Sequence, residues 1–176
     1  MGYLIKSGIL WEEGKKRGYI KYMGSGAERQ IFSCDDKLLV KVRTERQKAD
    51  TKERGDISYI TYVMTDLNGE ELAVAKPEYA DNENPAAYGW PLCHLPRVNR
   101  ARVFIHRCKK KYWLVMENAG KYVLKEESGK AVMEITHRGL VGGWDIAGPE
   151  DFGCEGVCGI FLFGRFMERE NEFWVV

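Results

Sequence analysis

The stretch from Val157 to Met167, VCGIFLFGRFM, has almost no hydrophilic face, and it constrains the fold more than any other part of the chain. Apolar side chains at Val157, Cys158, Ile160, Phe161, Leu162, Phe163, Phe166 and Met167 cover every direction of a 3.6-residue period, so a helix here has to be enclosed on all sides. The run is too short to cross a bilayer, which takes about 20 apolar residues. Protein must therefore enclose it, and a β-barrel with a helix through its middle does so. The alternative is a central strand from Gly159 to Phe166 with Gly164 marking a bulge. Gly156, Gly159 and Gly164 oppose a helix by about 1 kcal/mol each, although they let a helix pass close to barrel walls. The length of the run and the charged turn Glu168 to Glu172 behind it favour the helix, over about Glu155 to Met167.

The rest of the chain reads as repeated hairpins. SYITYVMTDLNGEELAVAKP holds two β-prone runs joined through Asn68-Gly69, a dipeptide that accepts positive φ at both central turn positions. ERQIFSCDDKLLVKVR repeats the form around Asp35-Asp36, KYVLKEESGKAVMEITHR around Ser128-Gly129, and RARVFIHRCKKKYWLVMEN turns at Lys109 to Lys111. Adding YLIKSGIL, GYIKYM, the run around Leu140 to Ala147 and the terminal FWVV gives about twelve strands, spaced as in a barrel or a sandwich. Two stretches stand outside this pattern. Val42 to Asp56 has almost no apolar residue and reads as a solvated loop or mobile connection. Ala80 to Asn99, rich in Pro, Asn and Gly, reads as a crossing loop ordered by Tyr88, Trp90 and Leu92. Neither marks a domain boundary, so residues 1–176 are expected to form one domain.

Composition narrows the functional classes. With 176 residues, 44% hydrophobic and 30% charged, the chain has the make-up of an ordinary globular protein. A formal net charge of +1 supplies no global field to recruit nucleic acid, so an electrostatic partner must be met by a local patch. Gly2 to Trp11 lacks the apolar core and cleavage site of a signal peptide. The five cysteines, Cys34, Cys93, Cys108, Cys154 and Cys158, follow no framework pattern and suit reduced thiols, which places the protein in the cytoplasm. The start MGYLIKS misses the myristoylation pattern by one place, with Lys6 where Ser or Thr is needed.

Antiparallel hairpins with Asp-x-x-Gly or Ser-Gly turns, followed by a near-terminal all-apolar helix and a last short strand, make the chain resemble the tubby C-terminal superfamily. Its relatives include the LURP-one-related proteins and phospholipid scramblases. The resemblance is most specific in CEGVCGIFLFGRFMERENEFWVV, which is similar in placement and character to the family's buried helix and closing strand. It implies a twelve-stranded antiparallel β-barrel around a central hydrophobic helix. In tubby proteins basic barrel residues bind phosphoinositides, which makes an anionic lipid headgroup the implied ligand class.

Several residues carry candidate chemistry of their own. Cys93-His94 and His106-x-Cys108 offer four ligands for tetrahedral zinc, yet they lack knuckle spacing, and an imidazole and a thiol on one strand face pack readily without metal. Cys154 and Cys158 read as small buried hydrophobes on one helix face. None of His94, His106 and His137 accompanies a nucleophile elbow, and the Gly-Ser-Gly at 24–26 lacks the Lys-Ser/Thr of a phosphate loop. Asp145, Glu150 and Asp151 beside Gly148-Pro149 are explained by turn chemistry. The basic positions are denser: Arg97, Arg100, Arg102, Arg107, Lys109, Lys110 and Lys111 lie close together in sequence, with Tyr88 and Trp90 nearby. They suit an anionic headgroup at a membrane periphery or an acidic protein partner; the competing reading is a solvated hairpin whose lysines block edge pairing. The expectation is a non-catalytic binding module without a cofactor or a membrane-spanning segment. A small metalloprotein or enzyme using Cys93, His94, His106 and Cys108 is the alternative.

Overall fold

Alternation of inward apolar and outward polar residues runs through the whole strand-forming part of the chain, and it closes into a barrel. The structure, a computed structural model, describes residues 2–24, 27–48, 58–79 and 98–171. Its strands are β1 (Gly2–Lys6), β2 (Ile9–Glu12), β3 (Lys15–Met23), β4 (Glu28–Ser33), β5 (Leu38–Lys48), β6 (Ser58–Thr65), β7 (Glu71–Tyr79), β8 (Val98–Ile105), β9 (Lys110–Asn118), β10 (Lys121–Glu126), β11 (Ala131–His137) and β12 (Trp144–Ala147). Each pairs antiparallel with its neighbours in sequence, and β1 closes the ring on β12 with Tyr3 opposite Ile146 and Ile5 opposite Trp144.

The helix α1, Gly153–Asn171, runs inside the ring. Its side chains at Val157, Cys158, Ile160, Phe161, Leu162, Phe163, Phe166 and Met167 are all buried, packed on inward-facing Leu10, Ile31, Tyr62, Leu114, Leu124 and Ile135 among others. The strand alternative for Gly159 to Phe166 is thereby excluded. An apolar interior and a charged outer wall are the inverse of a transmembrane barrel, whose lipid-facing side is apolar. No helix among the described residues is long and apolar enough to cross a membrane.

Connections alternate between two ends. At the end where α1 enters lie the turns after β2, β4, β6, β8 and β10. At the far end, α1 is fastened to the wall: the Tyr122 hydroxyl and the Arg165 guanidinium both donate to the Glu168 carboxylate. Arg165 also covers Trp144 at 5.3 Å, and Trp144 stacks on Tyr122 at 5.2 Å.

Several details differ from the sequence expectations. YLIKSGIL is two strands rather than one, bent at Ser7-Gly8 where both residues take positive φ, 51° and 76°. That extra strand completes the ring, while the terminal FWVV lies outside the described residues. Asn68-Gly69 does turn a hairpin, but only Gly69 has positive φ (85°), and Gly69 N donates to Asp66 O at 3.3 Å. The hydrogen bonds follow a longer turn than the two-residue one anticipated. The β8–β9 turn is His106 to Lys109, with Lys109 at φ 51°, so Lys110 and Lys111 belong to β9. Residues 42–48, read as a solvated loop, continue β5 and pair with β6 as far as Lys48 opposite Ser58. The outward Arg43 and Glu45 of this stretch pair at 2.7 Å, and inward Val42 is buried. The remainder of that stretch, 49–57, and 80–97 of the proline-rich stretch lie outside the described residues; Val98 and Asn99 begin β8. Of the run around Leu140, only Trp144–Ala147 is strand, because Gly139–Val141 forms a 3-10 turn.

Candidate anion-binding site

The basic segment is spread down the outer wall rather than gathered in one turn. In β8, Ala101 and Val103 are buried inside, which turns Arg100, Arg102 and Phe104 outward. In β9, burial of Tyr112 and Leu114 turns Lys111 and Trp113 outward. In β7, burial of Ala73 and Ala75 does the same for Val74, Lys76 and Glu78. Register then aligns Lys76, Arg102 and Trp113 in one row across three strands, and Val74, Phe104 and Lys111 in the next.

Trp113 is the floor of this surface. The guanidinium carbons of Arg100 and Arg102 lie 4.9 and 4.7 Å from its ring centroid, within cation–π range. Glu78 bridges both arginines, accepting from Arg100 Nε at 2.6 Å and lying 3.4 Å from Arg102 Nε. The second contact is longer than an ordinary N–H···O bond of about 2.9 Å. Lys76 and Lys111 have no ion pair among the described residues. Between these side chains and Phe104 lies a recess of about 400 Å³, with Glu127 at its edge. Below it a shallower groove runs from Lys109, Lys110 and Lys111 to Glu126, Glu127 and Ser128 on the next hairpin. The recess is thus lined by three cations, Lys76, Arg102 and Lys111, and one carboxylate, Glu127, with the Arg100–Glu78 pair beside it.

Of the residues singled out in the sequence, Arg102 and Lys111 line this recess, while Arg100 lies beside it over Trp113, paired with Glu78. Lys109, Lys110 and Arg107 lie at its lower margin or in the turn, and Arg97 is outside the described residues, as are Tyr88 and Trp90. Lys76, Glu78 and Trp113 were missed. Their signal was present in the strand alternation, but it required the register of β7 on β8 and β9 to be read.

The zinc-type ligands behave differently. Cys93 and His94 are outside the described residues. His106 and Cys108 sit in a turn rather than on a strand face: His106 Nε2 lies 2.8 Å from Glu71 Oε1, and the Cys108 thiol donates to Ile105 O at 3.7 Å. Among the described residues no group of three or more His, Cys, Asp or Glu is placed to hold a metal ion. Asp145 is 3.4 Å from Arg138 Nε across β11 and β12. At the helix entrance Cys158 is fully buried and Cys154 partly so. Their mutual hydrogen bond holds the Cys154 thiol below its ordinary range, and with burial it pushes Cys158 well above it.

Comparison of the chain with protein-family models, with curated proteins and with solved structures returns no match.

Proposed function

We propose that the protein is a non-catalytic binding module, in the manner of the tubby-like domains it resembles, that holds a phosphate-bearing anion against the outer wall of β7, β8 and β9. The observation that carries this reading is the recess itself, where unpaired Lys76 and Lys111 flank Arg102 on an aromatic floor. A phosphate needs several converging donors, and arginine presents its donors in a rigid fork that matches phosphate geometry. Arg102 already rests over the Trp113 ring, so less side-chain freedom is lost when an anion arrives. The filled barrel behind it acts as a rigid frame. An inositol-lipid headgroup at the cytoplasmic face of a membrane has the matching chemistry.

Titration calorimetry with soluble inositol trisphosphate, and displacement of the protein from phosphoinositide vesicles by the same compound, test this. Wild-type protein binds, and more weakly as salt screens the charges over about 8 Å at physiological ionic strength. Lys76→Ala/Lys111→Ala binds about tenfold more weakly, since two exposed ion pairs contribute about 0.2–1 kcal/mol each. Replacing Lys109, Lys110 and Lys111 together by Ala reports on the lower margin. Equal binding by the Lys76/Lys111 variant removes the recess from the site. Failure of both inositol trisphosphate and phosphoinositide vesicles to bind replaces the headgroup reading with an acidic protein surface.

A further inference from the structure

Where α1 enters the barrel it carries two sulfurs that the anion site does not use. Cys154 and Cys158 lie four residues apart and so share one face of the helix. Cys158 is 0% exposed, while Cys154 is only partly buried, so a small oxidant arriving from solvent meets Cys154 first. The reading of both as buried hydrophobes holds in full only for Cys158.

The wall makes room for the outer sulfur. Register slips between Leu10 and Trp11 of β2, which leaves Arg17 as the extra residue of a bulge in β3. The Cys154 thiol donates to the Arg17 carbonyl at 3.9 Å, and a Cβ on Gly18 would lie 2.9 Å from Cys154 Sγ. A larger residue at 18 would displace the sulfur. Cys154 thus stands in the first turn of a helix, near a guanidinium and in hydrogen-bonding contact with a second thiol, a setting that favours thiolate. The hydrogen bond from Cys158 outweighs burial and the carboxylates of Glu155 and Glu12, which act in the opposite direction.

We infer that Cys154 and Cys158 are a peroxide-reactive dithiol, with Cys154 the sulfur oxidised first and Cys158 the thiol that closes it into a disulfide. The Cys154 thiolate attacks one oxygen of hydrogen peroxide: an S–O bond forms, the O–O bond breaks, and the departing hydroxide takes up the thiol proton as water. Cys158 sulfur then attacks the sulfenic sulfur, the S–O bond breaks, and hydroxide leaves as a second water with the Cys158 proton. Dithiol and peroxide become disulfide and two waters. Cβ atoms four apart on a helix are about 5–6 Å apart and a disulfide takes about 3.5–4.5 Å, so the first turn must tighten by about 1–2 Å. Gly153, at φ 62°, bends the chain directly before Cys154, and Gly156 lies between the two cysteines, which gives this turn the freedom to move. The inference does not rest on the wall recess.

Peptide mapping of the full chain tests it. No Lys or Arg lies between Arg138 and Arg165, so trypsin releases both cysteines in one peptide, residues 139–165. After brief exposure of reduced protein to hydrogen peroxide and alkylation, that peptide is lighter by two hydrogens and has lost both alkylation sites, while Cys34 and Cys108 are still alkylated. Dithiothreitol restores both thiols. In Cys158→Ala the reaction stops at Cys154 and dimedone labels it; in Cys154→Ala the Cys158 thiol survives the same exposure. Circular dichroism checks that both variants fold, and the wild-type map stands without them. The inference is overturned if both cysteines of the wild-type peptide remain alkylated, if Cys34 and Cys108 are consumed first, or if Cys154 proceeds to sulfinic acid beside a free Cys158.

Discussion

Gly164 stands where the central helix lies against a ring of the barrel wall, and adding one methyl group there tests how tightly the two are packed. A Cβ at Gly164 would lie 2.7 Å from Tyr122 Cδ2 and 2.9 Å from Cγ, well inside the carbon–carbon contact distance of about 3.5–4.0 Å. The ring has little freedom to yield, because it stacks on Trp144 at 5.2 Å and its hydroxyl is held by Glu168. Helix propensity favours Ala over Gly by about 1 kcal/mol, while overpacking a filled core costs about 1–3 kcal/mol. A fixed ring puts Gly164→Ala at the upper part of that range, leaving a net loss of about 1–2 kcal/mol. For a chain of this size that lowers the melting temperature by about 2–8 °C. Gly156 and Gly159 provide internal comparisons. At Gly159 the methyl would meet Met64 Sδ at 2.5 Å, but a thioether with several rotatable bonds repositions at less cost than a stacked ring. At Gly156 the nearest atom is Phe152 Cβ at 3.2 Å, so propensity prevails. Melting followed by circular dichroism should rank Gly156→Ala highest, Gly159→Ala next and Gly164→Ala lowest. A Gly164→Ala protein as stable as wild type refutes the close packing of helix on wall.

Leu162→Asp should abolish folding, since an unpaired charge in the dry barrel interior costs several kcal/mol against a total stability of about 5–15; a soluble variant with a cooperative urea transition contradicts the buried helix. Stability should also fall at high pH. Burial, and after it the hydrogen bond to Glu168, hold the Tyr122 phenol above its ordinary range. Its contribution is complete below the unfolded value of about 10 and is lost as pH rises toward the folded value. Urea midpoints should therefore decline above about pH 10, and Tyr122→Phe should flatten that decline; an equally steep decline in the variant removes Tyr122 as its cause.

The helix was legible because burial on every side leaves a pattern that survives without knowledge of its neighbours: apart from Arg165, Val157 to Met167 carries no charged or strongly polar residue. Hairpins at Asn68-Gly69 and Ser128-Gly129 were legible for a similar reason, since glycine marks the residue that must take positive φ. Ser7-Gly8 was overlooked because the apolar residues on either side of it read as one continuous run. Polar strand residues misled in the opposite direction. Arg43 to Lys48 look like a loop to any reading based on hydrophobicity, because a barrel wall asks only alternate residues to be apolar, and a strand extending past the core asks none. At the candidate site, Arg100, Arg102 and Lys111 were visible as a local density of charge. Lys76 and Glu78 belong to the same surface only through pairing of β7 with β8 across a connection of nearly twenty residues, and no local pattern encodes that register.

Closure of the ring through β1 and β12 sets an order on biosynthesis. The first and last strands are separated by nearly the whole strand-forming sequence, and the helix that fills the interior follows both. While the chain is being made, every strand among the described residues leaves the ribosome before the segment that will occupy the barrel lumen, so inward-facing Leu10, Ile31, Leu114 and Ile135 have no central partner until Val157 to Met167 has emerged. Contacts of such long sequence separation form slowly, and an unfilled sheet exposes apolar surface and open edges in the meantime. A ribosome stall near Phe152 would therefore leave a nascent chain with β1 to β12 synthesised and nothing to close around, the state most in need of a chaperone.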